Sequence, residues 1–324
     1  MERILVTGAA GQVGTELVPA LRARYGDGNV LASDLKPPVP ELAPYEQLDC
    51  TDRAALAAAA AAHRADTIYH LAAILSARAE QQPLRAYEVN MTGLVNVLEV
   101  ARERAAAVFI PSSIAAFGPD TPREPATPQD TIQRPTSMYG VTKVAGELLA
   151  DYYHRRFGVD TRGVRYPGLI SYVAPPGGGT TDYAVDIFYH ALQQGEYSCF
   201  LREDTQLDMM YMADAIRGTI ELMEADAGRL KHRNAFNIAA MQFTPAQLAR
   251  AIQAHLPDFR MHYAVDPMRQ AIADSWPRKL DDSAARLEWG WAPRYDLRAL
   301  VTDMLDKLGE KLGATVKGGS DAAR

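Results

Sequence analysis

Cysteine is scarce: Cys50 and Cys199 are the only two in 324 residues, and there is no CxxC and no Cys/His cluster. That excludes a disulfide framework and a structural zinc site, and no metal is expected. Each thiol reads as a small core residue. Positive charge is not in surplus. A net charge of −6 argues against a nucleic-acid or anionic-membrane partner. No uncharged apolar run approaches the roughly 18 residues that a membrane-spanning helix needs. Nor does a basic n-region with an apolar h-region precede the first strand, which begins at Arg3. A cytoplasmic protein is expected, or an organellar one if a transit peptide has been removed. The one low-complexity stretch, Ala54 to Ala62, is nearly all alanine, the best helix former, and reads as a closely packed helix. What remains is ordinary globular material, 48% apolar and 23% charged. Its length suits about two domains, or one large α/β body.

The chain is organised around Thr7-Gly8-Ala9-Ala10-Gly11-Gln12-Val13-Gly14. A short apolar run, Ile4-Leu5-Val6, precedes it, and an apolar-periodic segment with Leu17, Val18 and Leu21 follows. Strand, glycine turn and helix are therefore expected. Glycine at 8, 11 and 14 lets the turn close and lets a pyrophosphate approach the backbone, where the helix dipole favours an anion. Gln12 and Val13 share that cradle. Twenty residues after Gly14, the second apolar run ends at Asp34. A carboxylate there accepts both hydroxyls of an adenosine ribose and repels a 2′-phosphate. The expected cofactor is NAD.

A third strand, Pro44–Leu48, ends beside Asp49 and Cys50. Asp49 could reach an adenine amino group or cap the following turn; Cys50 would be an adenine wall at most. The fourth strand, Thr67–Leu71, contains His70, read as a packed core histidine. Leu71, Ala72 and Ala73 follow, the small residues letting the chain lie against the cofactor. Ser76 falls in the loop beyond, as a substrate contact or a solvated serine. Pro83 starts a long helical pattern. Asn90 lies amid its apolar face, where a buried amide must find partners, and is assigned to the cofactor side of the sheet. The fifth strand, Val108–Pro111, ends in Ser112-Ser113, with no GxSxG elbow to suggest a hydrolase nucleophile.

Tyr139 and Lys143 open a long helix four residues apart, on one face about 6 Å apart along the axis. An ammonium and an oxidised nicotinamide favour a phenolate. Lowering a tyrosine from its reference value of ~10 to ~7 takes about 4 kcal/mol, and makes Tyr139 a general acid/base for a carbonyl–alcohol pair.

The glycine motif, Asp34, the Ser112-Ser113 strand end and Tyr139…Lys143 together resemble the extended branch of the short-chain dehydrogenase/reductase superfamily, which includes sugar-nucleotide epimerases and dehydratases. The resemblance implies that Ser113, with Ser112 as the alternative, hydrogen-bonds the reacting oxygen. It makes Tyr139 the proton carrier, and Lys143 the holder of the nicotinamide ribose. Tyr166, after the sixth strand Thr161–Arg165, joins the cofactor set. It also implies a homodimer through the two long helices after strands four and five.

Beyond Tyr166-Pro167-Gly168-Leu169-Ile170-Ser171 comes Pro175-Pro176-Gly177-Gly178-Gly179-Thr180-Thr181-Asp182. On spacing alone this is an N-capped helix after a flexible loop, or a hinged lid meeting a small polar substrate. The phrase resembles the short-chain type of L-threonine 3-dehydrogenases. That implies Ser76, Gly179, Thr180 and Thr181 as contacts for an amino-acid head group, with Ser113 and Tyr139 at its hydroxyl. The methionines around Asp208-Met209-Met210-Tyr211-Met212 read as packing, and Trp276 as a core residue or a cover for the site.

The expected fold is α/β: a doubly wound, mostly parallel sheet with a smaller C-terminal substrate lobe. Residues 1–170 with 205–240 form the dinucleotide-binding part. Residues 171–204 and 241–312 form the substrate lobe, and 313–324 a loose tail. The expected reaction is NAD-dependent oxidation of L-threonine at Cβ to 2-amino-3-oxobutanoate. A sugar-nucleotide epimerase would use the same residues but retain its cofactor and need a nucleotide pocket. A non-catalytic NAD-binding regulator would bind without turnover.

Overall fold

The computed structural model describes residues 1–177 and 179–313. Gly178 and, from the tail, everything after Gly313 lie outside the described residues.

β1 (Ile4–Thr7) leads through the glycine turn into α1 (Gly14–Tyr25), followed by β2 (Val30–Asp34) and β3 (Tyr45–Gln47). The alanine run forms α2 (Arg53–His63), capped by the Asp52 carboxylate on the Ala55 N–H, and β4 (Thr67–His70) comes next. Then follow α3 (Ser76–Gln81), α4 (Pro83–Tyr87), α5 (Gly93–Arg104), β5 (Ala107–Phe109), β6 (Ser112–Ser113) and α6 (Met138–Phe157). β7 (Thr161–Arg162), β8 (Val164–Tyr166) and β9 (Gly168–Ile170) complete this half. Among the described residues a six-stranded parallel sheet runs in the order β3-β2-β1-β4-β5-β7. Alternate side chains of β1 enter opposite layers. Ile4 and Val6 pack with Leu17, Val18 and Leu21 of α1, and Leu5 packs with Leu56 of α2 and Val97 and Leu98 of α5. The strand order reverses between β1 and β4, so a crevice opens beyond their C-terminal ends.

The second half runs through α7 (Tyr183–Gln193), β10 (Glu196–Cys199), β11 (Leu207–Tyr211), α8 (Met212–Glu224), β12 (Phe236–Asn237) and β13 (Met241–Phe243). It ends with α9 (Pro245–Gln253), β14 (Arg260–Tyr263), α10 (Pro267–Ser275), α11 (Ser283–Trp289) and α12 (Leu297–Leu312). Met210 and Met212 pack under the main sheet with α1, and α9 starts from a full capping box between Thr244 and Gln247. Phe188, Tyr197, Leu248, Ile252, Met304 and Leu308 centre the smaller lobe. No described helix is long and apolar enough to cross a membrane.

Three expectations need correction. The strand written as Thr161–Arg165 divides at Gly163, whose N–H donates to the Arg233 carbonyl and whose own carbonyl accepts from Phe236. β8 then pairs with β6 on one side and β12 on the other. The helix from Pro83 is interrupted by a π turn over Glu88–Thr92, within which the Asn90 amide bonds to Ile74. Ser76 is buried at the start of α3, not in a solvated loop.

Candidate active site

Backbone sterics build the floor of the crevice. Gly8 has φ +75°, and a Cβ there would fall 2.5 Å from the Ala72 nitrogen. At Gly14 a Cβ would fall 2.4 Å from the Ala9 carbonyl oxygen. These two glycines let the turn, β4 and α1 nest together. Gly8, Gly11, Gln12, Val13 and Gly14 all line the resulting cleft, with the N-terminus of α1 opening onto it. At the end of β2 the Asp34 carboxylate accepts from the Ala10 N–H at 3.0 Å and the Lys36 N–H at 3.1 Å. Each oxygen keeps a further acceptor site, so the set suits ribose hydroxyls. A dinucleotide therefore fits the groups present.

The opposite wall comes from β6 and α6. Ser137 caps α6 by accepting from the Gly140 N–H at 3.1 Å. A Cβ on Gly140 would lie 2.2 Å from the Ala115 carbonyl oxygen, so the first turn of α6 presses directly on the turn after β6. That contact brings Tyr139 beside Ser113, whose side chain acts on the phenol in the lowering direction. Ser113 Oγ also accepts from the Ala115 N–H at 3.2 Å, which fixes its rotamer. Lys143 Nζ lies 5.3 Å from the Tyr139 ring centroid and donates to the Pro111 carbonyl at 2.6 Å.

The two adjacent serines face different partners. The Ser112 hydroxyl donates to Glu147 Oε1, to which Arg165 Nε also donates, while Gln133 donates to Oε2. Ser113 alone of the pair meets the phenol.

The protein by itself does not lower the tyrosine. Burial pushes Tyr139 up to about 12 and outweighs the Ser113 hydrogen bond. The expectation drawn from charges concerns the complex with an oxidised nicotinamide; in the protein alone burial dominates. Burial also pushes Lys143 down to about 8, with Glu147 pulling the other way.

Ser76, Gly179, Thr180 and Thr181 line the same cleft as Ser112, Ser113, Tyr139, Lys143, Leu71, Ala73 and Tyr166. Thr180 is 1% exposed, and its hydroxyl has no hydrogen-bond partner among the described residues. Thr181 packs onto Gly168, where a Cβ would fall 2.7 Å from the threonine methyl. The Tyr166 phenol is turned away, onto Thr219. Asp182 takes the Gly179 N–H at 2.7 Å, folding the end of the glycine loop back on α7.

Five residues assigned to the cofactor are not among those lining the cleft: Asp34, at the end of β2, and four more. Asp49 caps the turn after it, accepting from the Thr51 N–H and hydroxyl at 2.9 and 2.7 Å. Cys50 is buried under α5, where a Cβ on Gly93 would lie 2.6 Å from its sulfur. Ala72 supports Gly8. Asn90 braces the site from behind, bonding to Ile74 and, at 3.1 Å, to Thr142 on α6. His70 is buried against Thr7, as a core histidine is, and its pKa falls to about 3 through burial. Leu75, Ile114, Pro167, Leu169 and Asp182 line the cleft without having been singled out. Each sits within a few residues of a strand end or helix start already marked, which is the signal that could have found them. Trp276 is 6% exposed and lines the cleft, so core packing and site cover are the same position.

Comparison with known proteins places this geometry. Residues 4–239 match the NAD dependent epimerase/dehydratase family. An uncharacterized epimerase/dehydratase of Staphylococcus saprophyticus is 55% identical over 98% of this chain and 100% of its own length. The L-threonine dehydrogenase of Clostridium difficile superposes with a TM-score of 0.94 at 56% identity, covering 96% of this chain and 98% of that one. The holo form of the Cupriavidus necator L-threonine dehydrogenase gives 0.92 at 53%, covering 94% and 99%.

Proposed function

We propose that this chain, which belongs to the NAD dependent epimerase/dehydratase family, oxidises L-threonine at Cβ to 2-amino-3-oxobutanoate. The observation that carries the reading is the buried, unpartnered hydroxyl of Thr180 in one cleft with Tyr139 and Ser113. A small polar substrate supplies the bond that Thr180 lacks. Solved neighbours up to 56% identical that are named L-threonine dehydrogenases support it.

NAD, when bound, supplies the hydride acceptor and a positive ring beside the phenol. The chain's own residues do the rest. Tyr139 takes the proton from the substrate Cβ hydroxyl, while Ser113 Oγ holds that oxygen. Lys143 would hold the cofactor ribose and add positive charge near the phenol. Bringing a phenol from about 12 to ~7 requires about 7 kcal/mol of electrostatic stabilisation. Ser76, Gly179, Thr180 and Thr181 receive the ammonium and carboxylate. Steady-state NADH formation with L-threonine tests the reading. L-Threonine is expected to turn over, and L-serine and a UDP-sugar to be poor or silent. A UDP-sugar epimerised with no net NADH would establish the epimerase alternative instead.

Thr180→Val is expected to raise KM for threonine about tenfold or more, the loss of one hydrogen bond to a charged group. Because the hydroxyl is unsatisfied in the protein alone, the same change should leave the urea midpoint equal or higher. An unchanged KM would remove Thr180 from the substrate site.

Asp34→Ala is expected to narrow the preference for NAD over NADP, by restoring NADP binding and weakening NAD. Cofactor titrations measure it, and an unchanged ratio would mean that Asp34 does not read the ribose.

We also propose a homodimer. Leu84, Tyr87 and Val95 along α4 and α5, with Val141, Leu148 and Tyr152 on α6, leave an apolar face exposed. Sedimentation should show a dimer that Leu148→Glu weakens; a wild-type monomer at micromolar concentration would contradict this.

A further inference from the structure

Glu147 stands one helical turn beyond Lys143 on α6 and is buried. Three elements converge on its carboxylate. Arg165 of β8 donates through Nε at 3.0 Å and Nη2 at 2.8 Å. Gln133, from the segment leading into α6, donates at 2.7 Å. The third donor is the Ser112 hydroxyl. Arg165 is itself pinned, 4.9 Å over the Phe117 ring and donating at 2.8 Å to the Gln129 carbonyl and at 3.0 Å to Asn237 Oδ1.

The reaction described above uses none of these contacts directly. Apolar residues of like volume would often serve stability as well as a buried ion pair does, so stability alone is a weak reason for this one. Its placement is specific. The carboxylate joins the helix that bears Tyr139 and Lys143 to the strand end that bears Ser113. Neighbouring side chains on a strand point to opposite faces. Holding Ser112 toward Glu147 therefore sets Ser113 toward the phenol.

We propose that Glu147 is a positioning residue: it grips Ser112 to set the Ser113 hydroxyl against Tyr139, and keeps a negative charge one turn behind Lys143. This rests on the reading that Ser113, Tyr139 and Lys143 carry the reaction. Glu147 acts on Lys143 in the direction the proposal needs, favouring the ammonium against its burial.

Three variants separate this role from simple packing. Ser112→Ala cuts the link from Glu147 to the strand and leaves the ion pair intact. Ser112→Thr restores the hydroxyl, with a small cavity of about 30 Å³ beside residue 112 to take the methyl. Glu147→Gln combined with Arg165→Met removes both charges together, so neither is left buried alone. In NAD reduction by L-threonine, Ser112→Ala should lower kcat about 10- to 100-fold with KM for NAD unchanged, as for a slightly misplaced catalytic group. Ser112→Thr should recover most of that loss. In the folded paired variant, the NMR titration midpoint of ¹³Cε-labelled Lys143, assigned with Lys143→Arg, should fall below the wild-type value, because Glu147 is the charge that raises it. Wild-type kcat in Ser112→Ala, no recovery in Ser112→Thr, or an unmoved lysine midpoint would each overturn the proposal. Should the wild type leave threonine untouched, the substrate reading falls, and the lysine midpoint alone decides the role of Glu147.

Discussion

Tyr139→Phe is expected to lower kcat by about 10²- to 10⁴-fold, the usual worth of a positioned general base. The ring stays where it is, wedged at the first turn of α6, because the turn is fixed by the Ser137 cap and by the Gly140 contact with Ala115. Only the hydroxyl leaves, and Ser113 keeps its bond from the Ala115 N–H. Cofactor affinity and the unfolding midpoint should therefore stay near wild type, and a titration of NAD against the variant checks the first of these. The wild-type rate should also rise with pH as the phenol ionises. In the protein alone burial holds that ionisation at about 12. The positive charge gathered in the complex moves it down, so the acid limb of kcat falls well below that value. Retained turnover in the variant, or a flat wild-type pH profile, would remove Tyr139 as the base.

Gly8→Ala should be strongly damaging, because it combines a backbone clash with a positive φ. The new Cβ meets the Ala72 nitrogen at 2.5 Å and the Leu71 carbonyl carbon at 2.7 Å, both backbone atoms that cannot swing aside. The residue also holds φ +75°, which alanine adopts only under strain. Together these should cost at least about 2 kcal/mol of stability and displace the turn that receives the pyrophosphate. Gly28→Ala is the control, since nothing lies within 4 Å of the added atom. A urea melt and an NAD titration on both variants measure the effect. Equal stability of the two would mean that the glycine turn is not held as described.

Much of the site could be read from residues because its determinants are local. Gly8, Gly14 and Asp34 act through the turn and the strand end on which they lie. Tyr139 and Lys143 share a face by helix geometry alone. Other features depend on partners far along the chain. Ser112 and Ser113 are equivalent by type and place, and only Glu147, 35 residues away, draws one of them off. An unbroken apolar period reveals neither the π turn around Asn90 nor the bonds of Asn90 to Ile74 and Thr142. Two opposing effects act on the tyrosine: charge, which a sequence shows, favours the phenolate, and burial, which it does not show, raises the phenol in the protein alone. Asp49 needed its neighbour's geometry: the Thr51 hydroxyl occupies the same oxygen as the Thr51 N–H, which makes it a turn cap.

The most direct test of the central claim follows one atom. L-Threonine carrying deuterium at Cβ is incubated with the protein and NAD, and the reduced nicotinamide is recovered. The account predicts deuterium at nicotinamide C4, a primary isotope effect on single-turnover chemistry, and loss of both in Tyr139→Phe. Reduced cofactor without the label, or no reduction while a UDP-sugar is epimerised, would contradict it.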